Sequence, residues 1–176
     1  SVIKAISSCL VYDGGNPGRS SHILSLNAAS AVYSCREEVC SLFDFQYPER
    51  VVFTYNTTYA LNLAIKGLYK KNSRILVSNL EHNSVLRPVH ALSENKENGV
   101  EYDVFDATGN DEEIISSFKD KLCENTSLAV VTMASNVCGK ILPVSALSKL
   151  CHENGTKIII DCAQSAGCIP FTFEQT

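Results

Sequence analysis

The sequence lacks an excess of basic charge and has no long apolar run. Its 176 residues include 15 Lys and Arg against 19 Asp and Glu, a formal net charge of −4, and no basic block or basic-aromatic stripe occurs. Apolar runs such as III at 158–160, which follows Lys157, and LAVV at 128–131 are of strand length, far below the roughly 20 residues that span a bilayer. We therefore expect neither a nucleic-acid partner nor a membrane. The N-terminus has no basic-then-apolar signal segment, which predicts a cytoplasmic protein.

Paired cysteine motifs are also missing. Eight cysteines are present, but none forms a C-x-x-C pair, so the sequence offers no zinc or thioredoxin-like motif and we predict no metal site. The chain is large enough to bury a core without disulfide bonds and carries no export signal. We expect its cysteines to be reduced thiols.

The sequence does contain a regular alternation of strand-like and helix-like segments. Its composition, 45% hydrophobic and 19% charged residues, is typical of one soluble globular domain. The patterns predict strands at 50–54, 74–78, 100–105, 127–132 and 157–161, and helices at 21–43, 58–68, 85–94, 111–122 and 144–153. This order predicts an α/β fold, a three-layer sandwich with a mainly parallel sheet. Ligands of such sheets bind beyond the carboxyl ends of the strands.

Polar residues that could bind a ligand follow three of the predicted strands. Thr57 and Thr58 open a helix, where adjacent hydroxyls and free backbone amides suit a phosphate, although a simple helix cap is the more common role. His82 lies with Glu81 at the next strand-helix junction, where a lone histidine is more often structural than catalytic. Asn136 could donate a hydrogen bond to a ligand or brace its own loop.

The carboxylate at the end of the last predicted strand is the sharpest signal. Asp161 follows the apolar run Ile158–Ile160, and a carboxylate at the mouth of a buried strand needs a compensating partner. A metal, a cationic ligand or a cationic side chain would serve, and capping of the next turn is an equally common alternative. Nucleotide motifs are absent: no G-x-G-x-x-G follows the first strand, and residues 134–141 lack the first glycine and the hydroxyl residue of a phosphate-binding P-loop.

Taken together and in this order, the loops resemble those of the class V aminotransferase family of pyridoxal-phosphate (PLP) enzymes, which have fold type I, and particularly its cysteine desulfurase branch. The relevant strings cover nearly the whole chain: NPGRSSH at 16–22, FTYNTT at 53–58 with Asn62, EHNSVLRP at 81–88, SNVCG at 135–139 and IDCAQSAG at 160–167. The resemblance implies the large domain of a PLP-dependent transferase.

The resemblance also implies roles for the residues after the strands. Asp161 would pair with the pyridine nitrogen of PLP and keep it protonated. His82 would stack on the ring face and could assist proton transfer, and Gln164 would donate a hydrogen bond to the ring phenolate oxygen.

Other residues would hold the phosphate and meet the substrate. Thr58, with the amide of Thr57, would bind the cofactor phosphate at the helix N-terminus. Asn136 would lie near the cofactor hydroxyl and the substrate carboxylate. Three residues would belong to the region through which substrate enters: Asn16, Arg19 and His22.

The sequence departs from the family pattern at two positions and lacks two catalytic residues. Tyr59 stands where the family often has Glu, and Cys162 where it usually has a small residue. No lysine can be assigned as the Schiff-base residue, since Lys140 and Lys157 lie in other motif contexts. None of the eight cysteines matches the family's nucleophilic cysteine. We therefore expect the isolated chain to be inactive.

These observations predict a fragment of a longer enzyme. Residues 1–20 would form an N-terminal segment with the turn at the substrate entrance, and residues 21–176 part of the PLP-binding large domain. The parent would remove sulfur from L-cysteine, giving alanine and an enzyme persulfide, with a sulfur-acceptor protein as a partner, and would be a homodimer. Another class V activity, either an aminotransferase or a selenocysteine lyase, is the alternative, as is a non-catalytic binding or assembly module.

Overall fold

A computed structural model describes residues 1–18 and 22–173 of the chain. The chain divides into two compact units, one of Ser1–Phe53 with residues 172–173 and one of residues 54–171. The expected domain boundary after residue 20 remains a prediction about the parent enzyme. Arg19 lies outside the described residues.

The first unit is helical. It contains α1 (Val2–Tyr12), α2 (Ile23–Leu42) and a short 3-10 helix (Pro48–Arg50). The sequence predicted no element at α1, none of whose side chains is buried. The helix predicted at 21–43 is confirmed as α2.

An aromatic cluster follows α2. Phe45 packs edge-on against Tyr47, with ring centroids 5.4 Å apart, and lies 4.7 Å from the ring of Phe173. The amide of Phe173 donates to the carbonyl of Phe43. These contacts hold residues 43–47 against the C-terminal end of the described chain.

The strand predicted at 50–54 is wrong. The segment begins in the 3-10 helix, which has Pro48 at its N-terminus, and the residues that follow belong to no strand of the described chain. Val52 is 70% exposed. An apolar run of this kind favours an extended backbone, but a strand also needs a neighbouring strand to accept and donate its hydrogen bonds.

The second unit alternates helices and strands. In chain order it contains α3 (Thr57–Leu68), β1 (Arg74–Ser78), α4 (Asn83–Glu94), β2 (Glu101–Phe105), α5 (Asp111–Lys121), β3 (Thr126–Thr132), α6 (Val144–Glu153) and β4 (Lys157–Asp161). Four predicted strands and four predicted helices are thus confirmed, with ends that differ by at most two residues. Local signals define several ends: Asn110 and Glu113 form a reciprocal capping box at the start of α5.

The four strands form one parallel sheet in the order β2-β1-β3-β4. One face carries Ile75 and Val77, which pack in a cluster with buried residues of α3 and α4. The opposite face carries Phe105, whose ring packs edge-on against Phe118 of α5, and α6 contacts both α5 and β4. Helices therefore cover both faces, which confirms the α/β class and the three-layer arrangement.

The core lies in the central strands. All seven residues of β3 are buried, and Ile75, Leu76 and Val77 of β1 are fully buried. Among the helices in the described part of the chain, none combines the length and apolar character needed to cross a bilayer. Parallel connections place the carboxyl ends of β1, β3 and β4 at one edge of the sheet, where polar side chains can converge.

Candidate cofactor site

A cavity of about 150 Å³ lies at this edge of the sheet. All six residues predicted to contact a cofactor line it: Thr57, Thr58, His82, Asn136, Asp161 and Gln164. They come from four separate loops that span more than 100 residues of sequence. The structure thus brings the six side chains together, while their individual roles remain predictions.

The N-terminus of α3 forms one part of the cavity. Asn56 caps the helix by accepting from the amide of Tyr59 at 2.8 Å, so the amides of Thr57 and Thr58 have no acceptor within the helix. The hydroxyl of Thr58 also lines the cavity and lies 2.8 Å from the hydroxyl of Ser84. Free amides at a helix N-terminus with an adjacent hydroxyl can bind a phosphate.

His82 stands at the start of α4. It is the N-cap residue, and its Nδ1 accepts from the amide of Ser84 at 3.1 Å. The hydroxyl of Ser84 lies 2.8 Å from the same nitrogen. The structural role that a lone histidine favours is therefore present, and the imidazole also lines the cavity.

Asp161 ends β4 and is buried, with 6% of its surface exposed. It pairs in register with Thr132 of β3, and its Oδ1 accepts from the amide of Ala163 at 2.9 Å. The turn-capping alternative is therefore realised, and the carboxylate lines the cavity as well. No lysine or arginine within residues 1–18 and 22–173 lines this cavity. A buried carboxylate without a protein cation beside it suits a cationic ligand.

Glu81 is a buried carboxyl group whose importance the sequence did not indicate. Its Oε1 accepts from the hydroxyl of Ser78 at 2.5 Å and from the amide of Thr132 at 2.7 Å. Its Oε2 is buried without a hydrogen-bond partner in the described chain. The pKa of Glu81 is raised to about 7, chiefly by burial and to a smaller extent by the nearby charge of Asp161, while the hydrogen bonds from Ser78 and Thr132 lower it. The carboxyl group therefore keeps its proton to a higher pH than an exposed glutamate does.

The two remaining cofactor candidates lie on exposed loops. Asn136 follows β3 in a tight loop in which the amide of Gly139 donates to the carbonyl of Ser135 at 3.0 Å. Gly139 has a φ of +69°, a conformation that favours glycine. Gln164 lies in the turn after β4 and is exposed. Both side chains are therefore free to meet a ligand without breaking the core.

The residues expected at the substrate entrance belong to the first unit. Asn16 accepts through its carbonyl from the hydroxyl of Ser25, and His22 caps α2 by accepting from the amide of Ser25 at 3.3 Å. The third, Arg19, lies outside the described residues. Their role toward substrate stays a prediction.

The residues of the cavity fit PLP. The cofactor has a phosphate, which suits the amides and hydroxyl at α3, and a ring nitrogen that takes up a proton, which suits the carboxylate of Asp161. His82 supplies a flat ring. Asp161 is buried, and no lysine or arginine is among the described residues that line the cavity. This lack of a compensating cation favours a ligand with a protonated ring nitrogen.

A family model decides the classification. The model of aminotransferase class V matches residues 1–176. The chain belongs to the class V aminotransferase family. The sequence resemblance is thereby confirmed, and with it the relation to a family of PLP enzymes.

Individual class V relatives cover the chain almost completely. The cysteine desulfurase IscS of Photobacterium profundum is 34% identical over 175 residues, which span 96% of this chain and 42% of that protein. The structure of the apo cysteine desulfurase of Thermococcus onnurineus NA1 superposes with a TM-score of 0.86 at 28% identity, covering 99% of this chain and 43% of that one. The chain therefore spans less than half the length of these relatives, as expected for part of a longer class V enzyme.

A third comparison shows the fold alone. A variant of C-DES with glycine covalently linked to its PLP cofactor has a TM-score of 0.82 at 22% identity, covering 98% of this chain and 46% of that chain. At this identity the comparison supports the fold, and the PLP cofactor is a property of that protein.

Proposed function

We propose that this chain supplies part of the PLP-binding large domain of a cysteine desulfurase-like enzyme. The parent removes sulfur from L-cysteine, giving alanine and an enzyme persulfide. The observation that carries the proposal is the convergence of Asp161, His82 and Thr58 on one cavity of a class V fold. The relatives named as cysteine desulfurases support this substrate over the other class V activities.

Each residue has a defined task in this proposal. Thr58 and the amide of Thr57 bind the phosphate, Asp161 holds a proton on the ring nitrogen, and His82 contacts the ring face. Bound PLP supplies an electron sink for a substrate carbanion. Asp161 keeps the ring nitrogen protonated through its negative charge, because a buried carboxylate stabilises a protonated nitrogen far better than a neutral side chain does.

The parent must bring further groups to this cavity. No lysine of the described chain lines it, and a Schiff-base lysine is needed for the usual exchange with an amino-acid substrate. We assign that lysine, the nucleophilic cysteine and the small domain to the part of the parent enzyme that corresponds to the region of the relatives outside the match to this chain. On this proposal residues 21–176 belong to the large domain and residues 1–20 to the substrate entrance, with Asn16, Arg19 and His22 near the substrate.

We extend the proposal to the setting of the parent enzyme. Its sulfur passes to an acceptor protein, it is a homodimer, and it works in the cytoplasm. All eight cysteines of this chain are free thiols, which supports a reducing compartment.

Binding of PLP to the chain, followed by absorbance and fluorescence, tests the assignment of the site. We expect weak, non-covalent binding that Asp161→Ala and Thr58→Ala each weaken about tenfold or more, the equivalent of about 1.4 kcal/mol. Asp120→Asn, which removes an exposed charge on α5, is the matched control. We expect borohydride reduction to leave no adduct on a single lysine.

Several results would contradict the proposal. Equal affinity of the wild type and Asp161→Ala would remove Asp161 from the site, and no detectable affinity in the wild type would favour a non-catalytic module. An adduct of PLP on one lysine after borohydride reduction would show that the chain carries its own Schiff-base residue.

A further inference from the structure

The hydroxyl of Ser84 joins two of the residues that the proposed function assigns to the cofactor. It lies 2.8 Å from Oγ1 of Thr58 and 2.8 Å from Nδ1 of His82. Ser84 is buried, with 7% of its surface exposed, so water does not readily replace either contact. The phosphate contact and the ring contact are thereby linked by one protein hydroxyl.

The direction of these hydrogen bonds is restricted. The amide of Ser84 donates to Nδ1 of His82 at 3.1 Å, so in the ligand-free chain Nδ1 is an acceptor and the neutral imidazole carries its proton on Nε2. The hydroxyl of Ser84 can donate to the same nitrogen, while the hydroxyl of Thr58 donates to Ser84. The hydrogen bonds are then donated in the order Thr58 to Ser84 and Ser84 to His82.

An anion bound by Thr58 reverses the direction of these hydrogen bonds. Phosphate oxygens accept hydrogen bonds, so the single proton of the Thr58 hydroxyl turns to the anion and Oγ1 can only accept from Ser84. The proton of Ser84 is then engaged by Thr58, and a lone pair of Ser84 Oγ faces Nδ1 of His82. That contact is favourable only when Nδ1 carries a proton.

We propose that Ser84 is a positioning residue that couples anion occupancy at Thr58 to the choice of which ring nitrogen of His82 carries the proton. This inference rests on the proposed function, in which the anion is the cofactor phosphate. In the switch one proton leaves Nε2 and one binds Nδ1, both by exchange with water. Nε2, the ring nitrogen that Ser84 does not contact, becomes an acceptor only while the phosphate is bound.

The two polar groups of Ser84 therefore act in opposite directions on one nitrogen. Its amide favours an unprotonated Nδ1 in every state, whereas its hydroxyl favours a protonated Nδ1 once Thr58 is engaged by an anion. Ser84→Ala removes the hydroxyl and keeps the amide. Ser84→Thr keeps both, so it is the conservative variant that should restore the coupling.

Nitrogen NMR of the chain labelled in its histidine rings measures the switch without any catalytic assay. His82→Gln identifies the signals of His82. In the ligand-free wild type we expect the shift of an unprotonated Nδ1. Addition of inorganic phosphate or of PLP should move Nδ1 toward the protonated range, and pyridoxal, which lacks the phosphate, should not. Ser84→Ala should lose the response and Ser84→Thr should keep it. Ser93→Ala, on the same helix, is the control.

The outcomes separate this inference from the proposed function. Failure of both phosphate and PLP to bind the wild type contradicts the proposed function, and the coupling with it. Binding that Thr58→Ala abolishes, without any change at the His82 ring, contradicts the coupling alone. A ring response that persists in Ser84→Ala would assign the effect to a route other than the Ser84 hydroxyl and would overturn the inference.

Discussion

The carboxyl Oε1 of Glu81 accepts a hydrogen bond from the amide of Thr132 at 2.7 Å. The bond connects the loop after β1 to the end of β3, and Thr132 is the residue that pairs in register with Asp161. Glu81 also directly precedes His82. One buried side chain thus fixes the relative positions of the loop that carries His82 and the strand that carries Asp161, and three predictions concern this arrangement.

The first prediction concerns the pH dependence of stability. The folded protein raises the pKa of Glu81 from 4.5 to about 7, chiefly through burial, so it binds this proton more tightly than the unfolded chain does. The contribution of Glu81 to the free energy of unfolding therefore falls as pH rises from about 4.5 to about 7, by about 3 kcal/mol. Glu81→Gln cannot ionise, so its stability relative to the wild type should rise by that amount across the window.

Urea denaturation at several pH values measures this difference. Glu124→Gln, an exposed position after α5, should keep a constant offset from the wild type. A constant offset for Glu81→Gln as well would show that Glu81 is ionised throughout and that its burial does not govern its charge.

The second prediction concerns the coupling between the two buried carboxyl groups. Burial is the main cause of the raised pKa of Glu81, and the charge of Asp161 adds to it. Asp161→Asn should therefore lower the pKa of Glu81 in the folded protein and bring the upper end of the pH window of the first prediction down, so that the window narrows. Combined with Glu81→Gln, the two substitutions should be non-additive in the free energy of unfolding above pH 7. Additivity at that pH would mean that the charges of the two groups do not interact.

The third prediction concerns turnover in the full-length enzyme. On the proposed function, Asp161→Ala should abolish release of sulfur from cysteine, because the ring nitrogen of PLP would lose the carboxylate that we propose keeps it protonated. Alanine formation and the absorbance of the bound cofactor measure the two effects separately. The Asp120→Asn enzyme should retain full activity. Near-wild-type turnover in Asp161→Ala would exclude Asp161 from the catalytic site.

The fourth prediction concerns thiol reactivity. A hydrogen bond from Ser135 lowers the pKa of Cys138, which is exposed in the loop after β3, whereas burial raises the pKa of Cys151 to about 12. Because the thiolate is the reactive form, iodoacetamide at pH 7 should modify Cys138 readily and leave Cys151 untouched until the chain unfolds. Peptide mass spectrometry gives both rates.

Ser135→Ala serves as the test of the cause. It should slow modification of Cys138 and leave modification of the exposed Cys168 unchanged. Equal rates at Cys138 in the wild type and in Ser135→Ala would show that this hydrogen bond does not activate the thiol.

The sequence by itself determined most of the second unit. Apolar runs located β1 to β4 and helical periodicity located α3 to α6, and all of these elements belong to the compact second unit. The pattern failed at residues 50–54, where an apolar run is exposed instead of paired, because pairing depends on a neighbouring strand and not on composition. The pattern also did not predict α1, none of whose side chains is buried in the described part of the chain.

The residues of the candidate site also fall into those that the sequence indicated and those that only the tertiary structure brought out. Motifs named six of the residues that line the cavity, since each of the six lies in a loop after a strand or at a helix start, where sequence signals are local. The parts played by Glu81 and Ser84 depended on tertiary structure, because their partners Thr132 and Thr58 lie 51 and 26 residues away. A glutamate and a serine beside a histidine are ordinary in sequence. Burial removes water as their alternative partner, and only the packed fold determines which groups are left to take its place.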